Sequence, residues 1–291
     1  MNRIKLVLII LVAVTLCGCA VDMNKTDISS SVIAHSAAID FDSQKGRYSV
    51  YIAYTDDNKP SVLQGEGKSI SEAFLALCET SKKYPLISLA EYFIVSHSAL
   101  RNGAENIKTF FNSQNDLRYD ALIFTCDEIK TVFSKEEFYT ALTDTGLRAF
   151  LQKRIKRHFN TIGNFLSSDS FYLLNIKIAD STLLPNTISY INENKFSQSF
   201  DENMSLGILL RLDNLLSKTL EYESAILEMY DISYNGEKLS YNVNIYPKSR
   251  AAEREIKENA RRHCDDYLKF LLSQTGKAGD IKITSNQYFM G

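Results

Sequence analysis

The sequence predicts an α+β protein: a mixed α/β region with helical crossovers, followed by a smaller strand-helix-strand domain. Three observations predict it. Between residues 46 and 126, strand-like and helix-like runs alternate, which argues for a mixed sheet with crossover helices. Around residue 235, Asn-Gly separates two strand-like runs, a strong hairpin signal. From residue 249 to 273 runs the clearest amphipathic helix of the chain, and a strand-like decapeptide follows it.

The elements follow in order. Residues 46–55, GRYSVYIAYT, alternate with Tyr48, Val50 and Ile52 on one face. Residues 56–60, DDNKP, read as a turn. Gly65-Glu66-Gly67-Lys68-Ser69 ends like a phosphate-binding loop, but the first glycine of that pattern would fall at Val62, so nucleotide binding is not expected. Ser69 with Glu72 instead forms a capping box for a helix that buries Ile70, Ala73, Phe74, Leu77 and Cys78. Residues 89–96 read as a buried strand, 104–111 as a helix with Ile107, Phe110 and Phe111 inward, and 119–126 as another strand.

Residues 134–166 read as helical, opened by a second capping box at Ser134 and Glu137. Leu147, Phe150, Leu151, Ile155, Phe159 and Ile162 recur at helical spacing there. The same segment carries Arg148, Lys153, Arg154, Lys156, Arg157 and His158, which reads as the solvated side of an amphipathic helix, with contact to anionic headgroups or an acidic partner as the sharper reading. Residues 171–178 form a strand, ADSTLLPNT reads as turn-rich, and a strand or hairpin then leads to a helix from about Asn203. In the helix at 249–273, Ile256, Ala260, Cys264, Tyr267, Leu268 and Leu271 face one way, with Gly276 and Gly279 as its stop and 280–289 as a final strand.

The 291 residues hold 33 basic and 35 acidic side chains, 45% hydrophobic residues and no Trp. This excludes a disordered chain and gives no electrostatic drive toward nucleic acid. Arg3 and Lys5 precede an apolar run over residues 6–16, then Leu16-Cys17-Gly18-Cys19. The run is short for a spanning helix and has the charge and small-residue pattern of a secretion signal. The stretch resembles a bacterial lipobox, with Gly18 placing the lipidated cysteine at Cys19. The expected organisation is a signal peptide at 1–18, a lipidated tether at 19–31, an α/β region at 32–183 with a sub-boundary near 131, and an α+β domain at 184–291.

Cys78, Cys126 and Cys264 are too widely spaced for a metal half-site and read as buried free thiols. The four histidines, His35, His97, His158 and His263, are scattered, and neither a G-x-S-x-G elbow nor an H-E-x-x-H pair occurs. His97, between Ser96 and Ser98 just past a buried strand, is the best single candidate for chemistry, although adjacency in sequence is not triad geometry. No catalytic residue, metal or cofactor is expected.

The order of these features resembles the Ger(x)C family, the lipoprotein C subunits of bacterial spore germinant receptors. The resemblance is carried by Leu16-Cys17-Gly18-Cys19, by Ala38-Ile39-Asp40-Phe41-Asp42 before the strand at 46–55, and by the run from Gly65 to Ala73, similar to the family's G-x-G-x-[ST]-[IL]-x-E-A stretch. It continues through the strand at 91–96, the Asn115 to Asp120 approach to the next strand, and the strand-helix pair at 240–281. Ala20 departs from the Trp that the family often has just after its lipidated cysteine, and the chain is shorter than is usual for the family. The resemblance implies a non-enzymatic subunit on the outer face of the cell membrane, which becomes the spore inner membrane. It implies partnership with a membrane-spanning A subunit and a permease-like B subunit, and contact with membrane lipid through the anchor at Cys19. A solute-binding lipoprotein is the alternative, for which Tyr and Phe side chains would have to line a closable cleft.

Overall fold

The computed structural model describes residues 31–114, 117–142, 146–156, 159–179, 182–222, 224–276 and 281–290. The signal peptide, Cys19 and the tether up to residue 30 lie outside the described residues, as do Arg157, His158 and Gly279.

The large sheet is built from β1 (Ser31–Asp42), β2 (Arg47–Asp56), β3 (Lys59–Gly67), β4 (Tyr84–Leu86), β5 (Tyr92–Val95), β6 (Leu122–Thr125), β7 (Phe171–Ala179), β8 (Thr182–Asn192) and β9 (Lys195–Ser199). Its order is β3-β2-β1-β5-β6-β7-β8-β9, with the short β4 beside β1. The centre, β1-β5-β6-β7, is parallel; both flanks are antiparallel hairpins. The small sheet holds β10 (Lys218–Tyr222), β11 (Ala225–Tyr234), β12 (Lys238–Pro247) and β13 (Lys282–Phe289), in that order, with β13 parallel to β12. The expected mixed region followed by a smaller strand-helix-strand unit is what the chain forms. The large sheet runs on past residue 184, through β8 and β9.

Helices cover both faces of the large sheet. On one face lie α1 (Ile70–Ser81), α2 (His97–Arg101), α3 (Ala104–Asn112) and α7 (Ile162–Ser167), burying Phe74, Leu100, Phe111 and Phe165 against Val50, Phe93 and Ile123. On the other lie α4 (Ile129–Ser134), α5 (Glu136–Ala141), α6 (Gly146–Arg154) and α8 (Glu202–Arg211), which meet Tyr51, Ile94 and Phe124. That second core continues without a break into the small sheet and α9 (Arg250–Gln274).

Several local readings hold and several change. Ser69 caps α1 by accepting from Glu72 N at 3.1 Å, and Glu72 reaches back to Lys68 N at 2.9 Å. The second capping box does not form. Ser134 ends α4 and donates to Thr131 O at 3.1 Å, while Lys135 (φ −116°, ψ 124°) is extended and separates α4 from α5. The continuous helix expected over 134–166 is therefore a series of short helices, with an extended contact at Ile155 between α6 and α7. Spacing of apolar residues by three and four cannot tell one helix from several that share a face.

The turn at 56–60 is a tight hairpin: Asp57 and Asn58 both take positive φ, and Lys59-Pro60 already belong to β3. ADSTLLPNT is not a turn region, because its residues from Thr182 belong to β8. Pro185 is tolerated since β9 pairs with β8 only from Ser189, leaving this stretch at the edge. At the expected Asn235-Gly236 hairpin only Gly236 has positive φ (97°), while the Asn235 side chain accepts from Glu237 N and Lys238 N. The helix at 250–274 buries Ile256, Ala260, Cys264, Leu268 and Leu271 as its periodicity requires, with Tyr267 half-buried.

Candidate functional site

The largest polar constellation in the described residues lies at the carboxyl ends of the parallel strands. There β1, β5 and β6 end side by side, and the β8–β9 hairpin folds back over them. Ser96 follows β5 and caps α2, accepting from Ala99 N at 3.0 Å. His97 is thereby turned inward and is 3% exposed. Its Nδ1 lies 2.8 Å from Asp127 Oδ2, just past β6, and its Nε2 lies 2.8 Å from Ser189 Oγ on β8. Ser189 Oγ also meets Thr125 Oγ1 and Ser199 Oγ, each at 3.0 Å. A second branch runs from Ser96 Oγ to Ser98 Oγ at 2.8 Å, and Ser98 donates to Asp40 Oδ1 on β1 at 3.2 Å. The ring of Phe196 on β9 sits 4.3 Å from the His97 ring and 4.7 Å from the Arg101 guanidinium.

A carboxylate only accepts, so Nδ1 carries the hydrogen and donates to Asp127. That bond holds the Asp127 carboxyl below the usual carboxylate range, against the opposing effect of partial burial, with help from the Arg101 charge. Carboxylate, imidazole and hydroxyl are thus in line, as in a nucleophilic triad. The exposure is reversed, however: the Asp127 side chain is 67% exposed, whereas Ser189 is fully buried. A nucleophile must meet substrate, and Ser189 has no face left to do so. What the arrangement does is pin the β8–β9 hairpin to the ends of β5 and β6 through groups that all find partners. The sequence singled out His97 but not Asp127, Thr125, Ser189 or Ser199, which lie 28–102 positions away and carry no local signal.

The remaining histidines take separate places. His35 Nε2 meets Thr55 Oγ1 at 3.1 Å, and the His263 ring packs 4.9 Å from that of Tyr222. Among the described residues no group of three His, Cys, Asp or Glu side chains could hold a metal. Cys126 and Cys264 are buried free thiols and Cys78 is a half-buried one. Burial pushes the Cys126 thiol up to about 11 and the Cys264 thiol up to about 12.

The Gly65-to-Ser69 run explains itself by packing. A Cβ on Gly65 would lie 2.2 Å from Ala73 O and 2.5 Å from Leu77 N; one on Gly67 would lie 2.4 Å from Ala73 N. The two glycines let β3 lie directly against the α1 backbone. The amides of Lys68 and Glu72 are already taken by the capping box, so no open phosphate cradle exists. Beside it, a shallow hollow of about 340 Å³ opens between α1 and α3, where Tyr48 Oη accepts from Asn102 Nδ2 at 2.7 Å and Asn106 Nδ2 at 3.1 Å.

A smaller cavity of about 110 Å³ lies where the two sheets meet. Leu151, Ile155, Ile188 and Leu209 line its floor, and Arg154, Glu202 and Lys218 stand at its rim. Of the basic run at 148–158, Arg154 reaches this rim and Lys156 pairs with Asp213 at 2.6 Å.

Residues 24–168, about half of the chain, match the family described as "Spore germination protein N-terminal domain". No curated protein matches the chain in sequence. Among solved structures, "Crystal Structure of the GerBC protein" is similar at 11% identity and a TM-score of 0.42, over 87% of this chain and 96% of that one.

Proposed function

Because the chain belongs to the Ger(x)C family of spore germination proteins, the germinant-receptor C subunits, we propose that it works as the lipid-anchored, outer-face subunit of a nutrient germinant receptor. The observation that carries this reading is the family match over residues 24–168. That span takes in β1 to β6 and α1 to α7, and so most of the large sheet. Leu16-Cys17-Gly18-Cys19 supports the anchor: the Cys19 thiol would receive a diacylglycerol and become the amino terminus after cleavage. Each buried acyl CH₂ contributes ~0.8 kcal/mol, so several chains hold the protein to the membrane surface. No helix in the described residues is long and apolar enough to cross a membrane. In this reading the chain performs no chemistry, and membrane-spanning A and permease-like B subunits are its partners.

The test is a pull-down of the tagged full chain from detergent-solubilised membranes of sporulating cells of its host, with mass spectrometry of the partners and of the amino terminus. Two multi-span membrane proteins together with a diacylated Cys19 are expected, and Cys19→Ser should release the chain from the membrane fraction. A diacylated chain recovered with a transporter would replace the reading by a solute-binding lipoprotein.

A further inference from the structure

Apolar side chains left in water collect at one end of the large sheet. β1, β4, β5 and β6 run parallel, so their amino ends share one edge. Glu91 N donates to His35 O and Leu122 N to Glu91 O, each at 2.9 Å, which sets residues 35, 91 and 122 side by side. Ile33, Leu89 and Tyr119 stand two or three positions ahead of these, and Tyr84 pairs in register with Ser31. All four are between 40% and 66% exposed. Four large apolar side chains on one edge mark a contact surface rather than scattered exposure.

The carboxyl ends of the same strands carry Asp40, His97 and Asp127 instead. The sheet thus has an apolar end and a polar end. Charges at the apolar end are engaged with one another: Lys83 pairs with Asp56, and Arg118 with both Asp120 and Glu91. Two of the four apolar groups are tyrosines. Their rings suit a boundary between water and hydrocarbon, because the body is apolar and the hydroxyl takes hydrogen bonds.

What covers this end follows from where the chain enters it. Ser31, the first described residue, lies on the same edge opposite Tyr84. Cys19 is twelve positions ahead of it. Twelve residues span at most about 40 Å fully extended, so a lipid on Cys19 holds this edge within that distance of the bilayer. We propose that the amino-terminal edge of the large sheet rests on the membrane surface, with Ile33, Tyr84, Leu89 and Tyr119 seated among the lipid headgroups. Side chains held in this way sit about 5–10 Å into the boundary between headgroups and acyl chains. The proposal rests on the anchor at Cys19 and adds an orientation to it. The parallel strands stand on their amino ends, and the His97 constellation faces away from the bilayer.

The chain has no Trp, so a single introduced one reports its own surroundings. Tyr84→Trp, Leu89→Trp and Tyr119→Trp are made one at a time in the full chain, purified from membranes and reconstituted into phosphatidylcholine vesicles. Gln44→Trp, exposed just past the far end of β1 and about 30 Å away, is the control. The three edge reporters are expected to emit to the blue of the control. In vesicles whose acyl tails are brominated near the headgroup they should lose about half their emission or more, and the control little. Salt at about 0.5 M should not change this, because the contact is apolar rather than ionic. Leu89→Asp should weaken the quenching at Tyr119→Trp. The mass of the amino terminus, read on the same samples, scores the anchor separately. A diacylated Cys19 with unquenched edge reporters would overturn the proposal and leave the anchor standing. Quenched edge reporters on a chain without the diacyl group would support the edge and remove the anchor. Equal quenching at Gln44→Trp and at the edge would overturn the orientation. Protection of the edge only when multi-span membrane proteins are present would assign it to a protein partner and overturn the lipid contact. The reporters are independent, so a variant that fails to fold leaves the other two to decide.

Discussion

At the scale of single residues, His97 does the most. Its ring is held at both nitrogens and packed at a tilt against Phe196, so His97→Ala would leave a void and strip Ser189 of one partner. A loss of about 2–3 kcal/mol in urea unfolding is expected. Asp127 adds an acid dependence. Its folded pKa is depressed, so its contribution is complete above the unfolded carboxylate value of about 3.9 and is lost as pH falls from there through the folded value. Asp127→Asn should flatten that part of the stability-against-pH curve and leave neutral pH little changed. The buried thiols give a second residue-level expectation. With Cys126 and Cys264 pushed up to about 11 and about 12, neither should react with iodoacetamide at pH 8 in the native protein, and both should react once it is unfolded. How much of this was legible follows from distance along the chain. The position of His97 after a buried strand was visible, because a strand run followed by Ser-His-Ser is a local pattern. Its partners at 125, 127, 189 and 199 become neighbours only through sheet closure, which no window of sequence contains.

Elements were legible where one face is apolar and one is wet. The helix at 250–274 and strands β2 and β12 have that pattern, and their bounds follow from it. β1 was missed as a strand because it sits in the middle of the sheet with helices on both sides. Ala34, Ala37 and Ala38 are buried, and a strand buried on both faces shows no alternation. β3 was hidden by the glycines that let it approach α1. That approach is testable: Gly65→Ala places a Cβ against fixed helix backbone and should cost about 3 kcal/mol, read as a shift in the urea midpoint at unchanged slope. The two capping-box readings can be separated in the same way. Ser69→Ala should cost about 1 kcal/mol, since a real N-cap is lost, whereas Ser134→Ala should stay within about 0.5 kcal/mol.

For the whole molecule, the division expected at 183/184 is spanned by β8, and one hydrophobic core runs from Ala38 to Leu272. The two sheets should therefore unfold in a single cooperative transition, with coincident circular-dichroism and tyrosine-fluorescence curves. The chain has no Trp, so tyrosine emission reads both sheets directly. Two separated transitions would show that the shared core does not couple them. The placement of β1 has a mechanical consequence. This first described strand is bonded to β2 along one side and to β4 and β5 along the other. A pull arriving from the amino-terminal side enters the centre of the sheet rather than its rim. Neither neighbour can be peeled away one bond at a time; both rows must slide together. A fold loaded in this way resists tension as a unit, so a load applied ahead of residue 31 would be carried by the middle of the sheet rather than by its edge.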